Sequence, residues 1–541
     1  MSSPASTRRE VATPPSGGGG QTVRIARSTS VLALTIGLSR LLGFVRDLLM
    51  ARLFGTLASA QAFVVAFRLP NLFRDLVAEG AVTSAFVPVL SWYRAKGEDE
   101  EFWRLSQAFL ARIVIVFCLL GLAGTLGAPL IVRIIAPGFA ADPGKFALTV
   151  RLTRVLFPFI TLVGLWAYFM GLLNSLRHFA MPALGPAILN VAMIIACLWF
   201  VPRVNPGVLA LAVSVIIGGV VQLAVQVPVA MRLGFRWRWR WAHEGSSRIM
   251  RLLGPRMLGS AAYQASVLID TALASLSSVV GEGAVAALYF ANRLVQLPLA
   301  LFGTATAQAS LPSLAEQAAH NDLAAFRATL LSVIRMVGFV ILPASVGLVV
   351  LAFPIVGGLF ERGAFDHRST VMTSQAVICY SFGLLAYSVS KVMTGAFYAL
   401  HDTRTPVKLA IEASVMNVLV SLTLMWPLQV SGLALAAAIT NSLNAYRLTR
   451  HMEARLGAPL LGPTLGPLIR QLAAALLMGL GCWGLWRVGH GAVSPIIALP
   501  VVILLGGLFY GVACAAVRVQ ELTTALRWFG ALPPFQAFVS E

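Results

Sequence analysis

Arginines interrupt the first two long apolar stretches of this chain. Residues 28–54 and 60–94 are each long enough to cross a bilayer, for which about 20 apolar residues suffice. The charged positions within them are Arg40, Arg46, Asp47, Arg52, Arg68, Arg74, Asp75 and Glu79. A charge at bilayer depth costs roughly 2.5–3.5 kcal/mol, so we expect these side chains around a water-filled cavity. A cavity lined mainly by arginine predicts an anionic cargo.

The chemistry of arginine narrows the class of that cargo. Its planar guanidinium donates two parallel, charge-assisted hydrogen bonds to one anion. Two or three such groups around a small volume can hold a pyrophosphate without a metal ion. The alternative is that each arginine pairs with a nearby carboxylate or extends to the membrane surface, and the spacing alone leaves both open.

Composition places the chain among membrane proteins. Of its 541 residues, 58% are hydrophobic and only 11% are charged, whereas about a quarter of the residues of soluble proteins are charged. The pattern predicts an all-α polytopic membrane protein of about fourteen transmembrane helices. The predicted spans are residues 28–54, 60–94, 104–136, 146–176, 181–202, 206–234, 247–279, 283–316, 323–358, 368–400, 405–428, 430–451, 463–489 and 492–517.

The distribution of basic residues predicts the orientation. The net charge is +20, and most of it lies in alternate short connections, as the positive-inside rule describes. An even number of spans then places both termini in the cytoplasm. We expect a multi-pass membrane protein without a nucleic-acid partner.

An internal repeat organises the spans. Matching motifs lie about 224 residues apart, and they are Asp47 with Asp270, Arg68 with Arg293, Gly171 with Gly395, and residues 207–212 with 432–437. Two six-helix lobes in parallel orientation are therefore predicted, with the substrate between them, plus two C-terminal helices. The expected divisions are a disordered cytoplasmic tail (1–24), an N-lobe (25–234), a basic and aromatic linker (235–246), a C-lobe (247–455), helices 13 and 14 (456–517) and a cytoplasmic tail (518–541).

The repeat brings the opening spans of the two lobes face to face across the cavity. This nominates Arg40, Arg46, Arg68 and Arg74 from the N-lobe, with Asp270, Asn292, Arg293 and Gln296 from the C-lobe, as residues that line the cavity. The predicted substrate-binding residues are Arg40, Arg46, Arg68, Arg74, Arg293 and Gln296 of this set, together with Gln61 and Asn71.

Two further polar groups have a narrower interpretation. Asp75 and Glu79 share a helix face with Asn71, which suits either gating residues or a helix end at the membrane surface. Asp270 and Asn417 carry hard oxygen ligands, so they are candidates for a cation site, with a buried salt bridge or hydrogen bond as the alternative.

The stretch F-R-W-R-W-R-W at residues 235–241 alternates arginine with tryptophan. Such alternation can bind single-stranded nucleic acid. It also suits a loop lying on anionic lipid headgroups, which is the interpretation we favour in a membrane protein.

Signatures of enzymes are missing from the sequence. It contains no Walker loop, no H-E-x-x-H and no G-x-S-x-G motif, and its seven histidines are scattered. We therefore expect neither catalysis nor a bound cofactor.

Six motifs along the chain form a recognisable set: S-R-L-L-G-F-V-R-D (39–47), F-R-L-P-N-L-F-R (67–74), A-E-G-A (78–81), A-F-V-P (85–88), A-P-G-F (136–139) and F-Y-A-L-H-D-T-R-T-P (397–406). Together they resemble motifs of the MurJ (MviN) family, which are bacterial lipid II flippases of the multidrug/oligosaccharidyl-lipid/polysaccharide exporter superfamily. The resemblance implies a place in the bacterial cytoplasmic (inner) membrane. The resemblance covers roughly residues 25–515.

The resemblance implies a V-shaped pair of lobes around a cationic cavity, with two final helices forming a lipid-facing groove. It implies lipid II as cargo, moved from the cytoplasmic to the periplasmic leaflet by alternating access, and contacts with membrane lipids and cell-wall synthesis proteins. The family's essential cavity arginines fall on Arg40, Arg46 and Arg293, with a further basic position at Arg74.

The chain departs from the family pattern in the cavity and at the implied cation site. Gln61, Asn292 and Gln296 stand where relatives commonly have acids, so the cavity is expected to be more cationic. A sodium site of some relatives maps onto Asp270 and Asn417. Ser421 and Ala437 fall where further oxygen ligands are expected, so the membrane potential, worth about 2.3 kcal/mol per charge per 100 mV, is an alternative energy source to a monovalent cation.

Four other functions were weighed against a lipid II flippase. An exporter of another polyprenyl-pyrophosphate-linked glycan shares the same anionic group. A drug exporter is expected to carry acids in its cavity, and a membrane glycosyltransferase or ligase needs a catalytic carboxylate or metal site in an outer loop. A scaffold for wall synthesis gives the buried arginines no role.

Overall fold

The structure is a computed structural model that describes residues 18–76, 82–241, 243–246, 249, 264–489 and 495–523. Its regular elements are helices, and no strand occurs among the described residues. Long apolar segments fold this way because a bilayer offers no partner to a free backbone N–H or C=O.

Ten α-helices occur among the described residues of the first half of the chain. They are α1 (Gly18–Phe54), α2 (Ala58–Leu76), α3 (Val82–Ala95), α4 (Asp99–Leu126), α5 (Ala128–Ile135), α6 (Pro143–Leu156), α7 (Phe159–Ser175), α8 (Ala180–Ala183), α9 (Gly185–Ile195) and α10 (Gly207–Arg232). Pro158 separates α6 from α7, because proline has no N–H for the helix ladder.

Among the residues described in the second half there are nine further α-helices, followed by two more. They are α11 (Gln264–Ala274), α12 (Ser277–Val280), α13 (Ala284–Pro298), α14 (Thr304–Ala319), α15 (Leu323–Val350), α16 (Ala352–Phe360), α17 (His367–Ser381), α18 (Leu384–Ala399), α19 (Arg404–Leu456), α20 (Leu461–Gly489) and α21 (Pro495–Ala516). After Pro298, α13 passes into the π-helical turns Leu299–Gly303.

The predicted membrane class is confirmed by the length and apolarity of these helices. Within the described residues, nine helices are long and apolar enough to cross a bilayer, and the pair α17–α18, bent by 46°, makes a tenth. Helix α19 is divided at Gln429, whose φ of 52° and ψ of −130° are not helical. The count of fourteen spans stays a prediction.

The two halves repeat one packing order. In the first, α2 packs on α6, and α3, α4 and α10 pack on α7. In the second, α13 packs on α17, and α14, α15 and α19 pack on α18. This correspondence confirms the internal repeat. Helix α20 packs on α15 and α21, outside the repeated unit.

The lobes meet at the end of the bundle where α1 turns into α2, which we call the α1–α2 end. Gly55 in this turn has φ +51°, and a Cβ there would lie 2.1 Å from the carbonyl oxygen of Ala364 in the other lobe. Gly363 has φ +64°, and its Cβ would lie 2.3 Å from the oxygen of Arg52. The Ala364 N–H donates to that same oxygen at 2.8 Å. Glycine lets two loop backbones touch here.

Apolar packing follows the same division. One core cluster crosses between the lobes and includes Phe63 of α2 and Phe290 of α13. A second, containing Phe86, Phe109 and Tyr168, lies among α3, α4 and α7 of the first lobe. The structure therefore joins the lobes near the α1–α2 end.

The expected N-terminal tail needs one correction. Helix α1 begins at Gly18, so residues 18–24, predicted to be disordered, continue the helix. Once a helix is nucleated, adding a residue to its end costs little, and the glycines at 18–20 do not stop it.

Candidate functional site

Asp47 lies at the centre of a charged cluster between the lobes. Its carboxylate is 2% exposed, and Oδ1 accepts from Arg46 Nη2 at 2.7 Å and Nε at 3.0 Å. Its Oδ2 lies 3.1 Å from Nε of Arg293 on α13. One carboxylate thus serves a guanidinium from each lobe, and the group of three keeps a net positive charge.

Tyr289 and Asn190 complete the hydrogen bonding of this cluster. The Tyr289 hydroxyl donates to Asp47 Oδ1 at 3.0 Å and accepts from Arg46 and Arg293 at 3.3 Å. Asn190 of α9 accepts from Arg46 Nη1 at 3.0 Å and donates to the backbone oxygen of Ser39 at 3.0 Å. Buried charges are tolerated when they are paired in this way.

The two arginines differ in accessibility. The Arg46 side chain is 7% exposed and committed to Asp47 and Asn190, whereas the Arg293 side chain is 37% exposed. Arg293 can therefore offer N–H groups to a ligand while Arg46 holds the carboxylate in place.

Arg68 extends the cluster along α2. Its Nε donates to Thr271 Oγ1 at 3.1 Å, which links the first lobe to α11. It lies close enough to Asp270 and Arg293 to interact with both electrostatically. The structure thus brings Arg46, Arg68 and Arg293 together.

Farther along α2, Arg74 pairs with its neighbour Asp75. The Nη2–Oδ1 distance is 3.0 Å, and Asn71 donates to Asp75 Oδ2 at 3.3 Å. Asp75 also interacts electrostatically with Arg293. Glu79, the other predicted gating residue, lies outside the described residues.

Arg40 and Gln296 are exposed side chains. Neither forms a hydrogen bond or ion pair with another residue that the structure describes. Arg40 precedes Asp47 by seven residues, two helical turns, so both lie on one face of α1. It extends the cationic surface away from the α1–α2 end. Across this candidate site, arginines outnumber aspartates five to three; the residues are Arg40, Arg46, Arg68, Arg74, Arg293, Asp47, Asp75 and Asp270.

Asp270 and Asn417 also come together. The Asn417 amide donates to Asp270 Oδ1 at 2.7 Å, and its own oxygen accepts from the Thr440 hydroxyl at 3.2 Å. One turn along α19, the hydroxyl of fully buried Ser421 has no partner among the described residues. Ala437 stands at the other position where the family pattern indicates a further oxygen ligand. Its backbone oxygen accepts from the Thr440 hydroxyl at 3.2 Å.

This donor set fits a monovalent cation. It consists of hard oxygens and carries a single negative charge, from Asp270. No group of three or more His, Cys, Asp or Glu residues that could hold a metal ion occurs in the part of the chain described. The alternative, a direct hydrogen bond between Asp270 and Asn417, is the arrangement seen.

Gln61 occupies a different place from the one predicted. It is 1% exposed and lies two turns before Arg68, toward the α1–α2 end. Its Nε2 donates to Glu282 Oε1 at 2.7 Å, and its Oε1 accepts from Lys145 Nζ at 3.1 Å. Lys145 Nζ lies 2.7 Å from the same Glu282 oxygen. Gln61 therefore bridges two charges at the lobe contact.

The pair of Lys145 and Glu282 joins the lobes. The Lys145 side chain is 2% exposed and that of Glu282 is 51% exposed. Burial alone raises the pKa of Glu282, but the hydrogen bonds from Lys145 and Gln61 and the Lys145 charge outweigh it, so the pKa lies below its ordinary value. Glu282 is thus ionised at neutral pH and closes this end of the bundle.

Sequence reasoning missed Asp47, Lys145 and Glu282 as members of these networks. Lys145 lies between the A-P-G-F motif and a long predicted span, a position typical of a loop charge that gives no sign of its partner. Glu282 lies between two glycines in a short connection, which gives no sign of a partner 137 residues away. Asp47 adjoins Arg46, which was the available signal.

Three comparisons with known proteins bear on this arrangement. The family model described as "Lipid II flippase MurJ" matches residues 50–503. The lipid II flippase MurJ of Burkholderia cenocepacia is 33% identical over 417 residues, covering 76% of this chain and 80% of that protein.

Two solved structures share the fold. A lipid II flippase MurJ in an inward closed conformation gives a TM-score of 0.77 at 22% identity, covering 91% of this chain and 99% of that one. An inward-facing multidrug resistance MATE family transporter of the MOP superfamily gives 0.64 at 17% identity, covering 77% and 94%.

Proposed function

This chain belongs to the lipid II flippase MurJ family, and we propose that it moves lipid II from the cytoplasmic to the periplasmic leaflet of the bacterial inner membrane by alternating access. The observation that carries the mechanism is the cluster around Asp47. There, two arginines from different lobes share one carboxylate, so an anion between the lobes gains from both. No step of this mechanism needs a covalent reaction by the protein.

Orientation follows from charge. The end of the bundle opposite the α1–α2 end carries Arg94, Lys96, the arginines of residues 235–241, Arg404 and Arg450. The turn at Gly55–Leu57 has no charge. The positive-inside rule then places both termini in the cytoplasm and the α1–α2 end at the periplasm.

This orientation makes the described conformation closed toward the periplasm. Hydrogen bonds between the lobes join Arg52 to Ala364, Thr56 to Ser369, Gly138 to Ser275 and Lys145 to Glu282, all near the α1–α2 end. A substrate therefore enters the cavity from the cytoplasmic side. Separation of these contacts, with closure at the other end, gives release to the periplasmic leaflet.

Within the cavity, we assign different tasks to the arginines. Arg40 and Arg74 attract the anionic headgroup along the entry side. Arg293 donates to the pyrophosphate, because it is the more exposed of the two arginines that Asp47 holds. Arg46 positions Asp47 and thereby Arg293. The lipid tail remains in the bilayer throughout.

Energy for the cycle is proposed to come from the membrane potential or a monovalent cation. The residues that would hold a cation are Asp270, Asn417, Ser421 and Thr440, whose oxygens supply one negative charge and neutral donors. Such an ion, when bound, contributes charge that the potential can move.

Complementation of a flippase-depleted bacterium tests the function. Wild type should restore growth and expose lipid II to an externally added lipid II-cleaving enzyme. Arg293→Ala should do neither at equal membrane abundance, whereas Arg133→Ala, at an exposed arginine outside the cavity, should behave as wild type. If well-expressed wild type does not restore growth, the cargo is another polyprenyl-pyrophosphate-linked glycan.

A further inference from the structure

The segment Phe235–Trp241, which we call the Trp/Arg segment, is fixed to the protein at its inner side. Phe235 is buried and contacts the rings of Phe169 and Tyr168, with centroids 5.4 and 6.4 Å away. Buried Gln107 of α4 then holds the segment at two points. Its Nε2 donates to the Arg236 backbone oxygen at 3.0 Å, and its Oε1 accepts from Arg240 Nε at 3.2 Å.

The end of the segment is held as well. Arg112 donates to the Trp241 backbone oxygen at 3.5 Å. His243 Nδ1 accepts from the Gly245 N–H at 3.0 Å, so its Nε2 carries the proton donated to Glu101 at 2.8 Å. The segment is therefore held in a fixed position against α4.

Its outer side is apolar, aromatic and uncovered. Trp237, Trp239 and Trp241 alternate along the chain and are 51%, 51% and 68% exposed. Their rings contact one another, with centroids 5.7 and 6.2 Å apart. Arg236 precedes the first tryptophan, Arg238 lies between the first two, and both are exposed. Three large rings held outward, with exposed guanidinium groups beside them, favour a partner that is apolar and anionic at once.

The height of the segment along α4 points to the membrane surface. The first large apolar side chain exposed on α4 after Arg112 is Val116, one turn later, and Leu119 and Leu122 follow on the next turns. Helical rise places Val116 about 6 Å from Arg112, so Trp241 lies at the level of the lipid headgroups. Tryptophan favours that layer, and arginine binds the phosphates there.

The acidic residues of this region do not oppose such contact. Glu100 and Glu101 lie at the start of α4, seven and six residues before Gln107 and farther from the apolar part of the helix. Both pair with Arg104. The segment therefore presents its free positive charge toward the bilayer.

We propose that the Trp/Arg segment is a docking site for anionic phospholipid of the cytoplasmic leaflet, with the tryptophans at the acyl-chain boundary and Arg236 and Arg238 on the headgroups. The equivalent connection of the second lobe, Gly457–Leu460, contains neither tryptophan nor arginine. The proposal rests on the proposed membrane orientation and not on the identity of the cargo.

Lipid-specific quenching of tryptophan fluorescence tests the proposal. Full-length protein is placed in nanodiscs containing brominated phosphatidylglycerol or brominated phosphatidylcholine. Subtracting the triple variant Trp237→Phe, Trp239→Phe, Trp241→Phe isolates these rings from the other tryptophans. In wild type, phosphatidylglycerol should quench this difference signal at least twice as strongly as phosphatidylcholine, and added salt should reduce the preference.

Arginine variants separate headgroup binding from simple proximity. Arg236→Gln with Arg238→Gln should abolish the preference but keep quenching by both lipids, since the Gln107 bonds use the backbone of residue 236 and the side chain of Arg240. The control pair Arg133→Gln with Arg362→Gln, at exposed arginines of the other end, should retain the preference.

Three results would overturn the proposal. If neither lipid quenches the difference signal, the tryptophans do not lie in the membrane. If both lipids quench it equally in wild type, the segment does not select anionic lipid. Quenching by an added single-stranded oligonucleotide, in place of lipid, assigns the segment to nucleic acid. Loss of flippase activity by itself would bear on the proposed function and not on this site.

Discussion

The lobes meet at two charged networks that contain similar residues but differ in function. Around Asp47, two guanidinium groups share one carboxylate. Around Lys145, one ammonium group faces one carboxylate, and the third member, Gln61, is neutral. Both join the lobes by charged hydrogen bonds. Only the first has positive charge left over.

That difference separates binding from closure. A network with surplus positive charge gains when an anion arrives, because the added negative charge relieves repulsion between the guanidinium groups. A balanced network gains nothing from an anion and can only open or close. We therefore assign substrate binding to the Asp47 cluster and periplasmic closure to the pair of Lys145 and Glu282.

The largest expected effect comes from removing the shared carboxylate. Asp47→Asn leaves two arginines without their common partner, one of them almost fully buried. Breaking a buried charge pair on one side costs about 3–5 kcal/mol, so both the melting temperature and flippase activity should fall sharply. Thermal unfolding in detergent and complementation measure the two.

Asp402→Asn is the matched control for this variant. Asp402 accepts from the backbone N–H groups of Arg404 and Thr405 at 3.0 Å, and asparagine caps a helix about as well. Its melting temperature should stay near wild type. An Asp47→Asn protein with unchanged stability and activity would show that the two arginines do not depend on this carboxylate.

The second effect distinguishes the two arginines of the cluster. Hydrogen bonds to charged groups contribute about 1.5–3 kcal/mol, so Arg293→Ala should weaken binding of inorganic pyrophosphate or lipid II by at least tenfold with little change in melting temperature. Arg46→Ala should weaken binding and also lower the melting temperature, because Asp47 and Asn190 lose their buried donor. Isothermal titration and thermal unfolding provide the readouts.

Substitution by lysine sharpens this assignment. Arg293→Lys keeps the charge but not the planar fork, so binding should recover only in part. Equal loss of stability in both alanine variants would contradict the division into a ligand-binding and a positioning arginine.

The third effect concerns the closing pair. Glu282→Gln leaves Lys145 buried without a charged partner, but solvent screens the half-exposed carboxylate, so the cost is expected to be about 1 kcal/mol. The periplasmic end should open more often. Exchanging the charges, Lys145→Glu with Glu282→Lys, should recover more closure than the sum of the single variants predicts.

Labelling by a membrane-impermeant maleimide from the periplasm measures this opening. The probe is Ala284→Cys, a fully buried position at the start of α13, in a protein whose exposed Cys118 is replaced by alanine. Leu57→Cys, 58% exposed in the neighbouring turn, controls for reagent access. Closure does not depend on this pair if Glu282→Gln leaves the labelling rate of the buried probe unchanged.

Local patterns in the sequence predict the helices, the repeat and the positions of the arginines. Each of these depends on residues near one another in the chain or on a fixed repeat offset. Two observations were sufficient to place both arginines near the lobe contact: Asp47 adjoins Arg46, and Arg293 lies on the repeated span. Spans 1, 2, 7 and 8 face each other in any such repeat.

Local patterns in the sequence could not predict which residues pair with one another across the lobes. Gln61 lies in an opening span at a position where relatives commonly have an acid, and it was therefore predicted to bind substrate. The structure pairs it with Lys145 and Glu282, because the lobes close over the first turns of α2. Thr440 was missed for a similar reason, since the break at Gln429 changes which residues of α19 face Asn417.

The smallest expected effect concerns the pH dependence of closure by the balanced pair of Lys145 and Glu282. In wild type the pKa of Glu282 is lowered below its ordinary 4.5. Its contribution to closure is complete above the ordinary value and is lost only as the pH falls through the lowered one. Between about pH 5 and 8, labelling of the buried probe should therefore not change with pH once corrected by the exposed one.

Gln61→Asp should make the labelling rate of the buried probe depend on pH, with faster labelling at higher pH. The variant removes the amide that donates to Glu282 and adds a second carboxylate beside one lysine, which raises the apparent pKa of the carboxylate pair. At higher pH both carboxylates are charged and repel, so labelling should be faster. As the pH falls the pair takes up one proton, and labelling should slow toward the wild-type rate. Flat labelling in both proteins would mean that Gln61 does not set the charge balance of the closure.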